Sequence, residues 1–477
     1  MRLERLSPRS LVLVAAGAYA AGFAALSILR HRAFHTGRFD LGNMVQAVWT
    51  TAHGHVLRVT DLQGHEISRL AAHFDPILVV FAPLWWLWPS PELLLTAQAI
   101  VVALGALPIF WLARKHLGSE RAGLGFALAY LLYPPLQWLT VDEFHPVALA
   151  CPLLLFAFWY LDEDRLVPFA LCAVAAATTK EEVPLVIAGM GVWYGISHRR
   201  WAFGAAVFVL GAAAALVAVE LVVPHFNRHG TSRFYGRYHH LGRSPGAILS
   251  AILHHPVDAF HDAFDPRGIK YLLELFLPLA ALSLLAPLVL VAAVPELALN
   301  LLSNVKTQTS IHFHYTAGII PPLFVAAILG CKRLVHYRPN APVLLAGVAL
   351  GASVLGNYRL GPLPLWQDVP GGSGLQSRYG HVGRHAQLAA SALRVIPAGA
   401  AVSATNSLGS HLSARRTIMS FPQLRGAEWV AVDETQLSFR DRGIAPLRAA
   451  NRLVRLRRNP GWQVVYEREA IVIFKRR

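Results

Sequence analysis

Five short stretches of the chain hold side chains able to move a proton, offset a phosphate charge or bind a cation. They are Gly37-Arg38-Phe39-Asp40-Leu41-Gly42, His73-Phe74-Asp75-Pro76, Asp142-Glu143-Phe144-His145-Pro146, Lys180-Glu181-Glu182 and His312-Phe313-His314-Tyr315. A carboxylate such as Asp40 can serve as a general base. Lys180 can balance negative charge on a phosphate. Asp75, Asp142 and Glu143 offer the oxygen ligands that a divalent cation takes, although adjacent Asp142 and Glu143 reach one ion only from irregular backbone. Each stretch also has a purely structural reading. Asp75 before Pro76 is a good helix N-cap, Asp40 can cap the amphipathic segment 41–49, and His145 before Pro146 can simply mark a helix start. Lys180 can form a buried pair with Glu181 or Glu182. His312 and His314 belong to a chain with 22 histidines and can be interfacial.

The sequence around these stretches is apolar. Of 477 residues, 55% are hydrophobic and 15% charged, with mean hydropathy +0.44; a soluble domain carries about 25% charged residues. The apolar residues gather in runs at 11–29, 92–113, 122–138, 146–161, 166–180, 183–197, 201–223, 272–294, 295–310, 315–331 and 341–358. These lengths approach what a helix needs to cross a bilayer. The expected fold is therefore mainly α: a polytopic transmembrane helical bundle of about 11 spans. The segment 77–88 is too short to span and contains Pro83, and its Trp85, Trp86 and Trp88 suit a helix lying in the interface.

Orientation follows from basic residues in short loops. Arg2, Arg5 and Arg9 precede the first run, no small-residue cleavage site ends it, and it reads as a retained helix with a cytoplasmic start. Arg114, Lys115, Arg121, Arg199, Arg200, Lys332, Arg333 and Arg338 then fall on that same side, whereas the loop 140–145 has no Lys or Arg. The acidic turn 162–165 opposes this assignment. The resulting topology puts all five stretches on the extracytoplasmic face, where charge near a membrane is a functional hypothesis by default.

After residue 358 the composition changes. A Gly/Pro-rich linker covers 359–383, and 384–477 reads as a small extracytoplasmic α/β domain, with strands at 401–404, 429–433, 462–467 and 470–474 and a helix at 446–457. Residues 1–358 form the membrane portion, with a long first outer loop at 30–91. The excess of 43 Lys+Arg over 27 Asp+Glu is scattered over loops without a zinc-finger, basic-helix or RNA-stacking pattern. That excludes nucleic acid and favours membrane lipids and phosphates as partners. Cys151, Cys172 and Cys331 have no paired spacing, so no disulfide framework or thiolate metal site is expected. No Walker loop, GxGxxG or GxSxG is present in the C-terminal part.

Phe39-Asp40-Leu41-Gly42-Asn43, His73-Phe74-Asp75-Pro76, Asp142-Glu143-Phe144-His145-Pro146, Thr179-Lys180-Glu181-Glu182, His314-Tyr315 and Ser403-Ala404-Thr405-Asn406 together resemble the domain-of-unknown-function 2079 family of predicted membrane proteins, which is grouped with GT-C-fold glycosyltransferases. The resemblance implies a donor sugar on a polyprenyl phosphate and an acceptor that is an envelope glycan, lipid or protein. It also implies an acidic residue shortly after the first span, a position that Asp40 matches. On this basis Asp40, Lys180 and Glu181 are the catalytic candidates, and His73, Asp75, Asp142, Glu143, His145, His314 and Tyr315 the substrate-binding ones. A divalent cation held by Asp75, Asp142 and Glu143 stays open. The alternatives are a transporter or flippase of lipid-linked glycans, for which charges along a midplane pathway and repeated helices are expected, and a noncatalytic envelope-assembly protein.

Overall fold

The computed structural model describes residues 7–227, 233–337, 341–376, 380–437 and 446–477; Arg2, Arg5 and Arg338 lie outside them. Among the described residues, four helices are long and apolar enough to cross a membrane: Pro8–Arg32, Pro91–Leu117, Trp201–Phe226 and Pro342–Leu360. The pair Glu120–Leu131 and Pro134–Val141, bent by 48°, makes a fifth if taken as one span. The runs at 146–161, 166–180 and 183–197 are shorter apolar helices, Pro146–Asp162, Leu166–Ala177 and Val183–Ser197. Leu13, Val14, Val167, Leu171, Leu210 and Leu355 point outward from these helices, as side chains do where the surrounding solvent is lipid. Inside, helices touch through small residues: a Cβ on Gly204 would lie 2.6 Å from the Gly191 carbonyl and from Gly195 Cα, so Val183–Ser197 and Trp201–Leu216 meet backbone to backbone.

The run 272–294 departs from the expected single helix. Pro266–Phe276 ends there, tight turns follow at Leu277–Leu279 and Leu282–Leu285, and a four-residue helix covers Pro287–Leu290. Pro278 and Pro287 have no N–H to continue a helix, and Ala280 and Ala281 take positive φ of 51° and 54°. The next run contains only the eight-residue helix Val294–Leu301. One side of this irregular segment is covered, with Leu279, Leu282 and Ser283 buried, while Leu277, Leu284 and Leu285 are exposed.

The basic and acidic short loops meet at one end of the bundle. Lys115 pairs with Asp162 and Glu163 at 2.7 and 2.5 Å, His116 with Asp162 at 2.9 Å, and Lys332 Nζ lies 3.2 Å from His116 Nδ1. The acidic turn that opposed the charge rule is therefore neutralised by the basic residues on its own side. The segment 77–88 forms a short helical stretch that buries Trp85 and exposes Trp86 and Leu87.

At the opposite end, the first loop contributes helix Asn43–Ala52 and the hairpin of β1 (Arg58–Thr60) with β2 (Glu66–Ser68). The C-terminal part forms a five-stranded mixed sheet from β3 (Val402–Ala404), β4 (Ile418–Ser420), β5 (Trp429–Asp433), β6 (Trp462–Arg468) and β7 (Ile471–Arg476), ordered β4-β3-β5-β7-β6. β3 runs parallel to β4 and β5; β7 is antiparallel to β5 and β6. Alternation sorts its side chains onto two faces. Val402, Ala404, Ala431 and Ile473 pack with helix Arg384–Leu393 and Phe34, while Val430, Val432, Val472 and Phe474 pack with helix Pro446–Arg458. Helix Asn406–His411, straight after β3, turns back toward the membrane portion. Its approach is close: a Cβ on Gly42 would fall 3.3 Å from Ser410 Cα and 2.5 Å from Ser413 Oγ just beyond the helix.

Candidate functional site

The turn that bears Asp40 is wound as a π-helical segment, Arg38–Gly42, between the first long helix and Asn43–Ala52. It is gripped from two sides. Glu143 accepts hydrogen bonds from the backbone N–H groups of Gly37 (3.0 Å) and Leu41 (2.9 Å). From the C-terminal part, Asn406 Oδ1 accepts from Phe39 N at 3.1 Å, and Gly37 leaves room for that amide, since a Cβ would sit 2.4 Å from Asn406 Nδ2. Buried Arg38 fastens the turn further by donating to the carbonyls of Thr60 and Ile418 and to Ser420 Oγ. The segment runs on into Asn43–Ala52 through a helical Gly42, so the whole stretch begins after extended Gly37 and Asp40 lies in its first turn.

The second stretch splits its duties. Asp75 does precede the turn Pro76–Val80, but makes no side-chain cap; its carboxylate takes a two-pronged bond from Arg69, with Nη2 to Oδ2 at 2.6 Å and both side chains buried. His73 donates from Nδ1 to Glu181 at 3.0 Å, and Phe74 N donates to the other Glu181 oxygen at 2.8 Å. Burial raises the Glu181 carboxyl, but His73, Lys180 and the Phe74 N–H outweigh it and hold the group at about 2. Because the folded value lies below the unfolded one of 4.5, the stabilisation is complete above that pH and is lost as pH falls toward the folded value. Thermal unfolding in detergent is expected to show a constant penalty for Glu181→Gln between pH 7 and 5 and a shrinking one below; a penalty unchanged at the acidic end would contradict the arrangement.

In the third stretch, the helix ends at Val141 and the chain reverses through Glu143 at φ 55°, a region costly for a residue with a side chain. Gln98, fully buried, holds this reversal: its amide donates to the carbonyls of Thr140 (2.9 Å) and Glu143 (2.6 Å) and accepts from His145 N (2.9 Å). The reversal sends Glu143 toward Gly37 and Leu41, and Asp142 toward His314. Burial and the nearby Asp40 push the Glu143 carboxyl up to about 7 against its backbone donors. His145 Nε2 lies 3.6 Å from Asp40 Oδ1, and its ring stacks on His314 with centroids 3.8 Å apart. Burial, His145 and Lys180 hold His314 well below the usual imidazole range.

Lys180 pairs with Glu182 at 2.5 Å rather than with Glu181, and its Nζ sits 5.0 Å from the Tyr315 ring centroid. The expected cation set is not assembled. Asp75 is committed to Arg69 and Glu143 to backbone N–H groups; Asp142 instead converges with His145 and His314.

All five stretches nonetheless open onto one cavity of ≈ 320 Å³, whose walls include Asp40, His73, Asp75, His145, Lys180 and Tyr315. His312 is not among its lining residues; its ring meets Trp138 instead. Arg237, from the second long loop, lies on this wall and also on that of a neighbouring cavity of ≈ 500 Å³ lined by Leu185, Leu216, Ile248 and Leu299 with Glu181, Glu182 and Glu296.

The profile of the DUF2079 family, described as predicted membrane proteins, matches residues 30–473. The chain belongs to this family. Its fold is similar to that of ArnT from Cupriavidus metallidurans bound to undecaprenyl phosphate, with TM-score 0.54, 13% identity, and 97% of each chain covered. The apo form of the same ArnT gives 0.50 at 14% identity, covering 96% of this chain and 98% of that one. No curated protein matches by sequence. This family member is thus a membrane protein with an ArnT-like fold. Three participants in this site are assigned no role by the sequence: Asn406 stands in a family motif, Gln98 is a lone amide inside an apolar run, and Arg237 is one of several loop arginines. The motif and the polar residue inside an apolar run are the signals that single out Asn406 and Gln98.

Proposed function

We propose that this protein is an integral-membrane, inverting glycosyltransferase that moves a sugar from a polyprenyl-phosphate donor to an envelope glycan, lipid or protein acceptor on the outer face of the membrane. The observation that carries the reading is the meeting of a charged cavity with an apolar one at Arg237. A donor fits that pair of spaces: its isoprenoid chain in the apolar cavity, its phosphate beside Arg237 and Lys180, and its sugar toward Asp40. Fold similarity to a structure bound to undecaprenyl phosphate supports the lipid-phosphate end. In the transfer, Asp40 takes the proton of the acceptor hydroxyl, and the hydroxyl oxygen bonds to the anomeric carbon. The bond from that carbon to the phosphate oxygen breaks, and Lys180 and Arg237 balance the charge left on the polyprenyl phosphate. Glu181 serves this reading as a positioning residue for His73 and Phe74.

A panel of polyprenyl-phosphate sugars, offered to the protein in nanodiscs with products read by mass spectrometry, tests the reading. Expected is a glycosylated acceptor with free polyprenyl phosphate; movement of an intact lipid-linked glycan across the bilayer would make the protein a transporter. Lys180→Met is expected to lower turnover more than donor affinity, since the cation matters most as phosphate charge develops, with partial rescue by Lys180→Arg. Loss of folding while surviving molecules stay fully active would leave Lys180 a structural partner of Glu182.

The same reading puts the N-terminus in the cytoplasm and residues 384–477 outside as a separate domain, with 359–383 joining it to the membrane portion. The support is the basic end formed around Lys115 and Lys332. A single cysteine at exposed Asn459, in a background lacking Cys151, Cys172 and Cys331, is expected to react with a membrane-impermeant reagent in intact cells. Reaction only after permeabilisation reverses the topology.

A further inference from the structure

We propose that Asp142, His145 and His314 form a binding site for one divalent transition-metal ion of the zinc class, with its open position on the cavity beside Asp40. One ligand atom of each residue lies within 4.8 Å of the others. The donor set is two imidazoles and one carboxylate, the composition of catalytic zinc sites that keep a fourth position free. Magnesium and calcium favour oxygen-rich shells instead.

Three details of the geometry go beyond the grouping. First, His145 Nδ1 donates to the Asp142 carbonyl at 2.7 Å. A carbonyl only accepts, so Nδ1 carries a proton and Nε2, 3.6 Å from Asp40 Oδ1, is the ring atom left to ligate an ion. This is the outer hydrogen bond that fixes the tautomer of metal-binding histidines. Second, His314 Nδ1 is sealed from solvent and has no hydrogen-bond partner among the described residues. It lies 3.6 Å from Asp142 Oδ2, too far for a hydrogen bond but near the roughly 3.3 Å edge of a tetrahedron with zinc–ligand bonds of about 2.0–2.1 Å. Third, the ligands are held before any ion arrives. Gln98 clamps both ends of the 142–145 reversal, the positive φ of Glu143 turns its carboxylate out of the way, and the two rings are already stacked.

One carboxylate and two neutral imidazoles leave a dipositive ion with a net positive charge. The cavity side of the ion is open to an oxygen ligand, from a donor phosphate or an acceptor hydroxyl. Its part in sugar transfer rests on the function proposed above; the binding of the ion does not.

Tag-free protein, stripped with chelator in detergent, is titrated with Co²⁺ followed by visible absorption, and with Zn²⁺ in competition with a chromophoric chelator. Expected is one equivalent per chain, with a four-coordinate Co²⁺ spectrum that Zn²⁺ displaces. His314→Ala and Asp142→Asn are each expected to weaken Zn²⁺ binding at least a hundredfold and to abolish the metal-induced rise in Tm, while their metal-free Tm values stay near that of the stripped wild type. Should His314→Ala fail to fold, His314→Gln, which keeps bulk and polarity, provides the same comparison. Binding left unchanged by these substitutions, no stoichiometric binding, or binding of Mg²⁺ in preference to Zn²⁺ would each overturn the site. Stoichiometric, histidine-dependent binding in a protein that transfers no sugar sustains the site and overturns the transferase reading.

Discussion

Asp40→Asn is expected to lower sugar transfer by roughly two to four orders of magnitude, the usual contribution of a general base, while leaving fold and donor affinity close to wild type. The substitution keeps size and polarity and removes the basic carboxylate. Asp40 stands in the first turn of the helical stretch that begins at Arg38, and asparagine keeps a polar side chain there. The turn is also carried by Glu143, Asn406 and Arg38. Turnover should follow sugar leaving polyprenyl phosphate in nanodiscs, with Tm and donor binding measured on the same preparation. Near-normal turnover in well-folded Asp40→Asn would remove this residue as the base. Asn406→Ala should then act through position: a smaller fall in turnover than Asp40→Asn, with the pH profile unchanged.

The second large effect is on stability. Asp75→Ala strands the buried guanidinium of Arg69, whose side chain is 7% exposed, and loss of one partner from a buried pair costs about 3–5 kcal/mol. The double variant Arg69→Met/Asp75→Leu removes the uncompensated charge with its partner and is expected to be more stable than Asp75→Ala alone. Reversible unfolding in mixed micelles measures both. If Asp75→Ala instead unfolds like the wild type and only donor binding suffers, Asp75 belongs to the substrate surface rather than to the frame that holds it.

The two outcomes would separate groups that react from groups that hold the cavity in shape. Asp40, Lys180 and Arg237 face the space where donor and acceptor would meet. Arg69–Asp75, His73–Glu181 and Glu143 tie the loops that form its walls. The proposed ion site at Asp142, His145 and His314 joins the first group because both of its imidazoles line the cavity.

What the sequence determined by itself was local. Apolar runs and alternation depend on near neighbours. Hence the strands expected at 429–433, 462–467 and 470–474 appear as Trp429–Asp433, Trp462–Arg468 and Ile471–Arg476, and the helix at 446–457 as Pro446–Arg458. Motif content likewise sufficed for family membership. The tertiary structure decided what depends on distant partners or on single backbone angles. Lys180 had two adjacent carboxylates to choose from, and it is the packing of His73 and Phe74 against Glu181 that leaves Glu182 for the lysine. Asp142 and Glu143 are neighbours of the same chemistry; one positive φ, stabilised by Gln98 more than 40 residues earlier, sends them to different tasks. Asn406 reaches Phe39 across |i−j| = 367, a pairing that no local period encodes. The run 272–294 is apolar enough for one helix, but Pro278 and Pro287 interrupt it. Hydrophobic pattern fixes which residues leave water, whereas the partner each polar group finds depends on how the whole chain closes around it.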